Sequence, residues 1–358
     1  MMKTYTLTFI GFLLCCMQLE AQHNYRFQQE YFFGNLPYAK TEAMGGADVA
    51  IGGSLNSIFL NPAGLGLIGD QEISFSTSAP FYALIRSDYY FAGYARKVND
   101  KLTLGLSLNQ IAIGPTTFTA NINGRFYPTD FPKSTNLTLT GAYALTDNLH
   151  IGLNVNRLEF KYFDDAPNSA AFHFDLGVLY KIPLKENSRL QLGLSAANVA
   201  GASVKITAPD GMVGTPSDFP FVGRAAVAYI LNSQIGVPGA GSGDFDFTAT
   251  LGYQNVLNSD YRTTVRFGTE AVFYKALAIR MGYFTQKVFN LNNALANRSR
   301  INDITYGFGI IVPLKKLTDG SLPFNAHIDI TSQKQPSFTW RGRRLPNMRA
   351  FGLRLVWD

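Results

Sequence analysis

From Asp100 onward the chain alternates apolar with small or polar residues in segments of about ten, separated by gaps that are alternately short and long. Between Thr103 and Asn109, for example, Leu104, Leu106 and Leu108 share one phase, while Thr103, Gly105, Ser107 and Asn109 share the other. Successive side chains of a strand point to opposite faces, so the two faces of such a segment suit different solvents. A transmembrane β-barrel meets that demand, with an apolar face toward lipid and a small, polar face toward its lumen.

Alternation and turn residues together predict strands over 71–79, 88–97, 101–114, 135–146, 149–162, 171–183, 189–199, 222–232, 244–255, 261–274, 277–286, 303–314, 324–332 and 348–358. Fourteen is even, as closure of an antiparallel single-chain barrel requires. The gaps after even-numbered strands are mostly tight, as at Val98-Asn99-Asp100 and Lys275-Ala276, whereas 115–134, 200–221, 287–302 and 333–347 are long. The gaps at 233–243 and 315–323 are longer than this asymmetry wants. Predicted outward faces include Phe172, Phe174, Leu176 and Val178, and Tyr306, Phe308, Ile310 and Val312; Tyr89, Tyr90, Tyr94, Tyr180, Tyr229, Tyr274 and Trp357 are expected in interfacial girdles. A secreted β-sandwich or propeller also alternates, but its polar face is normally charged, and here it is Gly, Ser, Thr and Asn.

Lys3, the apolar run from Leu7 to Met17 and the small Ala21 predict a secretory signal peptide over 1–21. Both cysteines, Cys15 and Cys16, fall inside it, so no thiol is expected in the mature chain; a lipoprotein signal fits less well, because Leu14 precedes Cys15. No later run is long and apolar enough for a membrane helix. Charged residues make up 16% of the chain against 33 Gly, 28 Phe and 18 Tyr, too few for an ordinary soluble surface. The net charge of +6 suits anionic lipid headgroups, and no nucleic-acid motif accompanies it.

Residues 22–70 do not follow the barrel rhythm and are read as a separate unit ahead of a barrel over 71–358. They carry Met44-Gly45-Gly46-Ala47-Asp48-Val49-Ala50 and then Asn61-Pro62-Ala63-Gly64-Leu65. In these two stretches, in this order before the first strand, the chain resembles the FadL-like outer-membrane barrels, which include long-chain fatty-acid transporters and a PorV and PorQ branch tied to type IX secretion. The rhythm at 94–106 is similar to that family as well. The resemblance implies a fourteen-stranded barrel with 22–70 folded into the lumen as a plug or hatch, whose marked residues are Gly45, Gly46, Asn61, Pro62, Ala63 and Gly64. Glycines permit tight turns and Asn-Pro sets another; these residues serve either gating or packing alone.

His173, Asp175, Arg266, Glu270, Arg280, His327, Asp329 and Arg354 fall on inward phases. No nucleophile or further ligand converges on the His-x-Asp pairs in the sequence, so a polar network bracing the lumen is favoured over catalysis, and neither a metal nor a cofactor is expected. In the third strand the apolar phase slips between Leu108 and Ile111, as a β-bulge would produce; a similar slip separates Val155 from Leu158, Phe160 and Tyr162. By the resemblance, a kink there implies a lateral gate at Asn109 and Gln110. Aromatic loop residues Phe81, Tyr82, Phe118, Phe126, Tyr127, Phe131, Phe219 and Phe221 are candidates for a hydrophobic pocket. The acid-free loop with Lys334, Arg341, Arg343, Arg344 and Arg349 suits lipopolysaccharide phosphates or an acidic partner, or is simply solvated. Two functions follow from the resemblance: passive passage of a fatty-acid-like molecule, or reception of secreted protein cargo as a surface-complex anchor.

Overall fold

The computed structural model describes residues 38–78, 87–113, 118–129, 133–185, 187–237, 241–257, 261–288, 300–333, 339–340, 343–344 and 348–357. The expected signal segment lies outside these residues, as does the stretch 22–37.

In chain order the strands are β1 (Gln71–Ser78), β2 (Ser87–Lys97), β3 (Leu102–Ile113), β4 (Phe118–Ile122), β5 (Arg125–Thr129), β6 (Lys133–Ala144), β7 (Leu149–Lys161), β8 (Ser169–Lys185), β9 (Ser188–Ala197), β10 (Ser203–Val204), β11 (Ser217–Asp218), β12 (Phe221–Val237), β13 (Gly241–Leu257), β14 (Tyr261–Phe273), β15 (Leu277–Val288), β16 (Arg300–Val312), β17 (Asn325–Gln333), β18 (Thr339–Trp340), β19 (Arg343–Arg344) and β20 (Met348–Trp357). Fourteen of them close into one antiparallel barrel; β4–β5, β10–β11 and β18–β19 are separate two-stranded ribbons in the loops. Closure runs through β1, where Phe75 stands opposite Ala92 of β2 and Leu353 of β20. A closed sheet has no free edge, so the backbone can be satisfied in lipid.

Local chemistry sets the tight turns. Asn99 Oδ1 accepts from the amides of Lys101 and Leu102, both at 2.9 Å, and closes the β2–β3 turn. Tyr274 and Lys275 take φ of 55° and 51°, the paired left-handed values of a two-residue hairpin turn that matches strand twist. These turns mark one end of the barrel, here the turn end; the opposite loop end carries the three small ribbons.

Outward positions are apolar and exposed: Leu104, Leu106 and Leu108 on β3, Phe172, Phe174 and Leu176 on β8, Tyr306, Phe308 and Ile310 on β16. Tyr94, Tyr143, Tyr180 and Tyr274 stand exposed toward the turn end. So continuous an apolar belt is matched to hydrocarbon rather than to water. Among the described residues no helix is long and apolar enough to cross a membrane.

Three expectations need correction. β12 and β13 pair down to Val237 opposite Gly241, so the supposed loop 233–243 is mostly hairpin. Backbone pairing there outlasts the side-chain alternation from which the strand ends were read. The bulge expected at Asn109 and Gln110 does not occur: β3 pairs without a register shift with β2 over 103–113 and with β6 over 102–112. β7 is equally regular against both neighbours. The slips have another cause. Ile111, Leu158 and Phe160 keep strict alternation and point inward, because the lumen itself turns apolar at that level. Tyr89, expected in an outer girdle, is buried among them.

Candidate functional site

Residues 38–68 occupy the lumen. They form a short helix Ala39–Ala43, a 3-10 turn Asp48–Ala50, a second short helix Ser57–Leu60 and a 3-10 stretch Pro62–Leu67. Tyr38, Met44, Leu55, Leu60 and Leu65 are fully buried. The wall accommodates this segment in two ways. Inward glycines let backbone meet backbone: a Cβ on Gly177 would fall on Asn61 Oδ1, and one on Gly152 would fall between Pro62 and Ala63. Inward Thr, Ser, Asn and Arg side chains then donate to the segment's carbonyls. Thr305 Oγ1 reaches Ala43 O at 2.9 Å, Arg266 Nη1 reaches Gly45 O at 2.8 Å, Thr250 Oγ1 reaches Ala47 O at 2.8 Å and Asn154 Nδ2 reaches Ile58 O at 2.9 Å. Thr331 and Ser195 do the same for Ala39 and Leu60. The glycines and hydrogen-bonding side chains of the inner face are thus the negative of the segment that fills it.

Of the six marked residues in the segment, Asn61 does most. Its Nδ2 donates to Val49 O at 2.9 Å and to Val178 O of β8 at 3.0 Å, while its Oδ1 accepts from Ala63 N at 3.2 Å. Pro62 opens the following 3-10 stretch, where the missing amide costs nothing. Gly45 and Gly46 have φ of 65° and 73°, and Gly45 lies against the Tyr283 and Phe267 backbones. Gly64 sits on Ser57 and Gly52.

The expected polar network divides into three. Arg280 joins Glu270 to Asp329, the latter at 2.7 Å, and Lys40 of the segment reaches Glu270 at 3.0 Å. Arg354 extends this set, 3.6 Å from Asp329 and 3.9 Å from Glu72, with His327 Nδ1 at 3.2 Å; Glu72 in turn accepts from Leu55 N at 3.1 Å. His173 and Asp175 stand apart. The Asp175 carboxylate accepts from Asn154, Asn156 and the Asn198 amide at 3.0, 2.8 and 3.0 Å, with His173 Nδ1 at 3.2 Å. A carboxylate so fully engaged is an anchor for two strands and a loop rather than a base. Arg266 donates to Gly45 O and lies over the Phe284 ring.

Above the segment, toward the loop end, the inner wall is apolar. Tyr89, Ile111, Leu158, Phe160, Ala197, Val222 and Val256 come together with Val204 and Phe219 from the loop between β9 and β12. Phe59 of the segment packs against this cluster from below, and the Arg224 guanidinium lies 5.8 Å from its ring centre. An outer cap continues it: Ile122, Phe163, Ile206 and Ala208 form a small core under the β4–β5 hairpin, and Tyr127 Oη donates to Asp210 at 2.8 Å.

Of the predicted pocket residues that the structure describes, Phe219 alone belongs to this cluster. Tyr127 packs under the cap, Phe126 is 69% exposed at the hairpin tip, and Phe221 precedes inward Val222 on the opposite phase. Phe81, Tyr82 and Phe131 and the Phe118 side chain lie outside the described residues. The residues that do line it carried a signal: the same phase slips that were read as bulges. Of the basic loop, Lys334 and Arg341 lie outside the described residues, Arg343 and Arg344 form β19, and Arg349 is exposed on β20.

A cavity of about 380 Å³ opens on the lipid-type face. Phe75, Thr77, Tyr90, Ala92, Leu108, Gln110 and Phe351 surround it, with Ser76 and Phe91 as its floor. That floor is the back of the lumenal contact, since Phe91 meets Tyr38 edge-on at 4.6 Å and Ser76 Oγ faces Ala39 N at 3.4 Å. Asn109 lies on the lumen side of the same wall, 3.5 Å from Tyr89 Oη.

No family model and no curated protein matches the chain. Among solved structures it is similar to a Pseudomonas aeruginosa FadL homologue, with 11% identity and a TM-score of 0.52 over 90% of this chain and 98% of that one. The Ralstonia pickettii toluene transporter TbuX aligns at 13% identity and 0.49 over 91% and 100%, and the Pseudomonas putida toluene transporter TodX at 15% and 0.48 over 88% and 95%. The barrel therefore has a FadL-like fold.

Proposed function

We propose that this chain is an outer-membrane channel that passes hydrophobic small molecules, fatty-acid-like or aromatic, by passive diffusion, with residues 22–70 as its plug and the long loops toward lipopolysaccharide. The observation that carries the reading is the apolar cluster that lines the lumen between Phe59 and the loop cap, in a lumen whose other inward side chains are small, polar or charged. A lumen built for ions or sugars has no use for Leu158, Phe160 and Val222 facing inward. The toluene transporters and the FadL homologue with similar barrels agree with it. A sideways exit would run through the wall cavity beside Gln110, where Phe91 and Ser76 touch Tyr38 and Ala39 of the segment.

The test is uptake of labelled oleate and labelled toluene by Gram-negative cells that lack their own hydrophobic channel. Cells carrying the chain should take up at least one of the two faster than barrel-free cells, and Leu158→Asp should abolish the gain while the barrel stays folded. Uptake equal to that of barrel-free cells would reject the reading. The second reading, a barrel that receives secreted protein, rests on Phe126 standing 69% exposed on a braced hairpin. It predicts a changed secretome on deletion, with hydrophobic uptake unaltered.

A further inference from the structure

The turn-end mouth of the lumen has a different chemistry from the apolar cluster above. His150 on β7 and Gln191 on β9 both point inward and are 4% and 1% exposed. Neither amide atom of Gln191 has a hydrogen-bond partner among the described residues, nor does either ring nitrogen of His150; the Asp147 carbonyl lies near the ring but outside bonding geometry. Buried polar groups are nearly always satisfied, so two such side chains in one patch call for a polar guest.

Cations surround them. Lys181 on β8 stands directly opposite Gln191, and Arg189, two residues along β9, is on the same face. Lys181 acts electrostatically on His150, and Arg189 on Lys181, which makes the four one contiguous patch. Lys181 has no ion pair among the described residues, and Arg189 spends one nitrogen on Asn232 at 3.3 Å while its Nε has no partner. Among the described residues, two acids are within range. Asp246 accepts from Asn232 at 2.6 Å, and Asp147 stands exposed on the turn. Like charges with few counter-charges are costly beside a low-dielectric wall unless an anion joins them. Gly66 of the segment lies against the His150 ring, and farther along the segment Ile51 and Gly52 are half-buried and Gly53 is exposed.

We propose that this mouth binds a phosphate group, held by Lys181 and Arg189 as cations with His150 and Gln191 as hydrogen-bonding partners. Several donors on three adjacent strands suit a group with several acceptor oxygens. Free phosphate and the phosphodiester of an inner-leaflet lipid present the same chemistry. The site is independent of what passes the apolar cluster, so its failure and that of the hydrophobic-channel reading are separate events.

The test is calorimetric titration of the full-length protein in a non-ionic detergent, first with inorganic phosphate and then with phosphatidylglycerol in mixed micelles. Saturable binding of either probe is expected, and the probe that binds identifies the source. Lys181→Ala and Gln191→Leu should each weaken it at least tenfold. Lys275→Ala, which removes a turn-end lysine paired with Asp244 at 3.0 Å, should leave it unchanged. A heat-shifted band on electrophoresis verifies that each variant barrel is folded. Absence of saturable heat with both probes, or equal affinity in the Lys181 and Gln191 variants, would overturn the proposal.

Discussion

Gly177→Val tests whether the segment is seated by close approach to the wall. The backbone of Gly177 pairs regularly, opposite Gly152 on β7 and Ser195 on β9, so a side chain there leaves the ladder intact. Its Cβ, however, would meet Asn61 Oδ1, lie 2.8 Å from Pro62 Cδ and 3.0 Å from Ala63 N. The Asn61 turn must move, and with it three hydrogen bonds worth about 1 kcal/mol each go. Overpacking adds about 1–3 kcal/mol. A local cost of about 4–6 kcal/mol corresponds to three or four decades in the population of the unseated segment. Some of that is recovered by relaxation, so at least a hundredfold is expected. The assay is maleimide labelling of Ser57→Cys, a near-isosteric reporter that is 5% exposed; the chain has no cysteine beyond residue 16. Labelling should accelerate at least a hundredfold while the barrel's heat-shifted mobility persists, and Gly177→Ala should give a smaller increase in the same direction. Gly141→Ala, whose Cβ would have only Leu104 Cδ2 at 3.9 Å, is the control. Labelling in Gly177→Val within threefold of the parent, with the barrel intact, would refute the argument.

Two other perturbations follow from the geometry. Arg280→Met leaves Glu270 only Lys40 and Asp329 only Arg354 as ion-pair partners among the described residues, and breaking such a buried set costs up to about 3–5 kcal/mol; the urea midpoint of barrel unfolding should fall accordingly. In the cap, the Met212 amide and then the Tyr127 hydroxyl hold the Asp210 carboxyl below its usual 3.8. A depressed carboxyl contributes stability above its unfolded value and loses it as pH falls through the folded one. The β4–β5 hairpin should therefore loosen only below pH 3.8, detectable as a Tyr127 signal change that Asp210→Asn abolishes.

Strand number, closure and the polarity of both faces were legible in the sequence. Alternation with period two reports local backbone geometry, and a wall between lipid and lumen imposes it on every strand, as at Phe172 to Val178. The same local signal carries no information about depth or about what stands opposite. Ile111, Leu158 and Phe160 broke the expected pattern of the lumen, and only their meeting with Phe219 and Val222 across the barrel shows that the lining changes character without the strands changing register. The separation of His173 and Asp175 from Arg280, the fit of Gly152 and Gly177 around Asn61, and the patch of Lys181 with Gln191 likewise join residues distant in the chain. Such contacts are decided by which strands the closed barrel makes neighbours and by how the segment lies inside it, and neither is written in any local period.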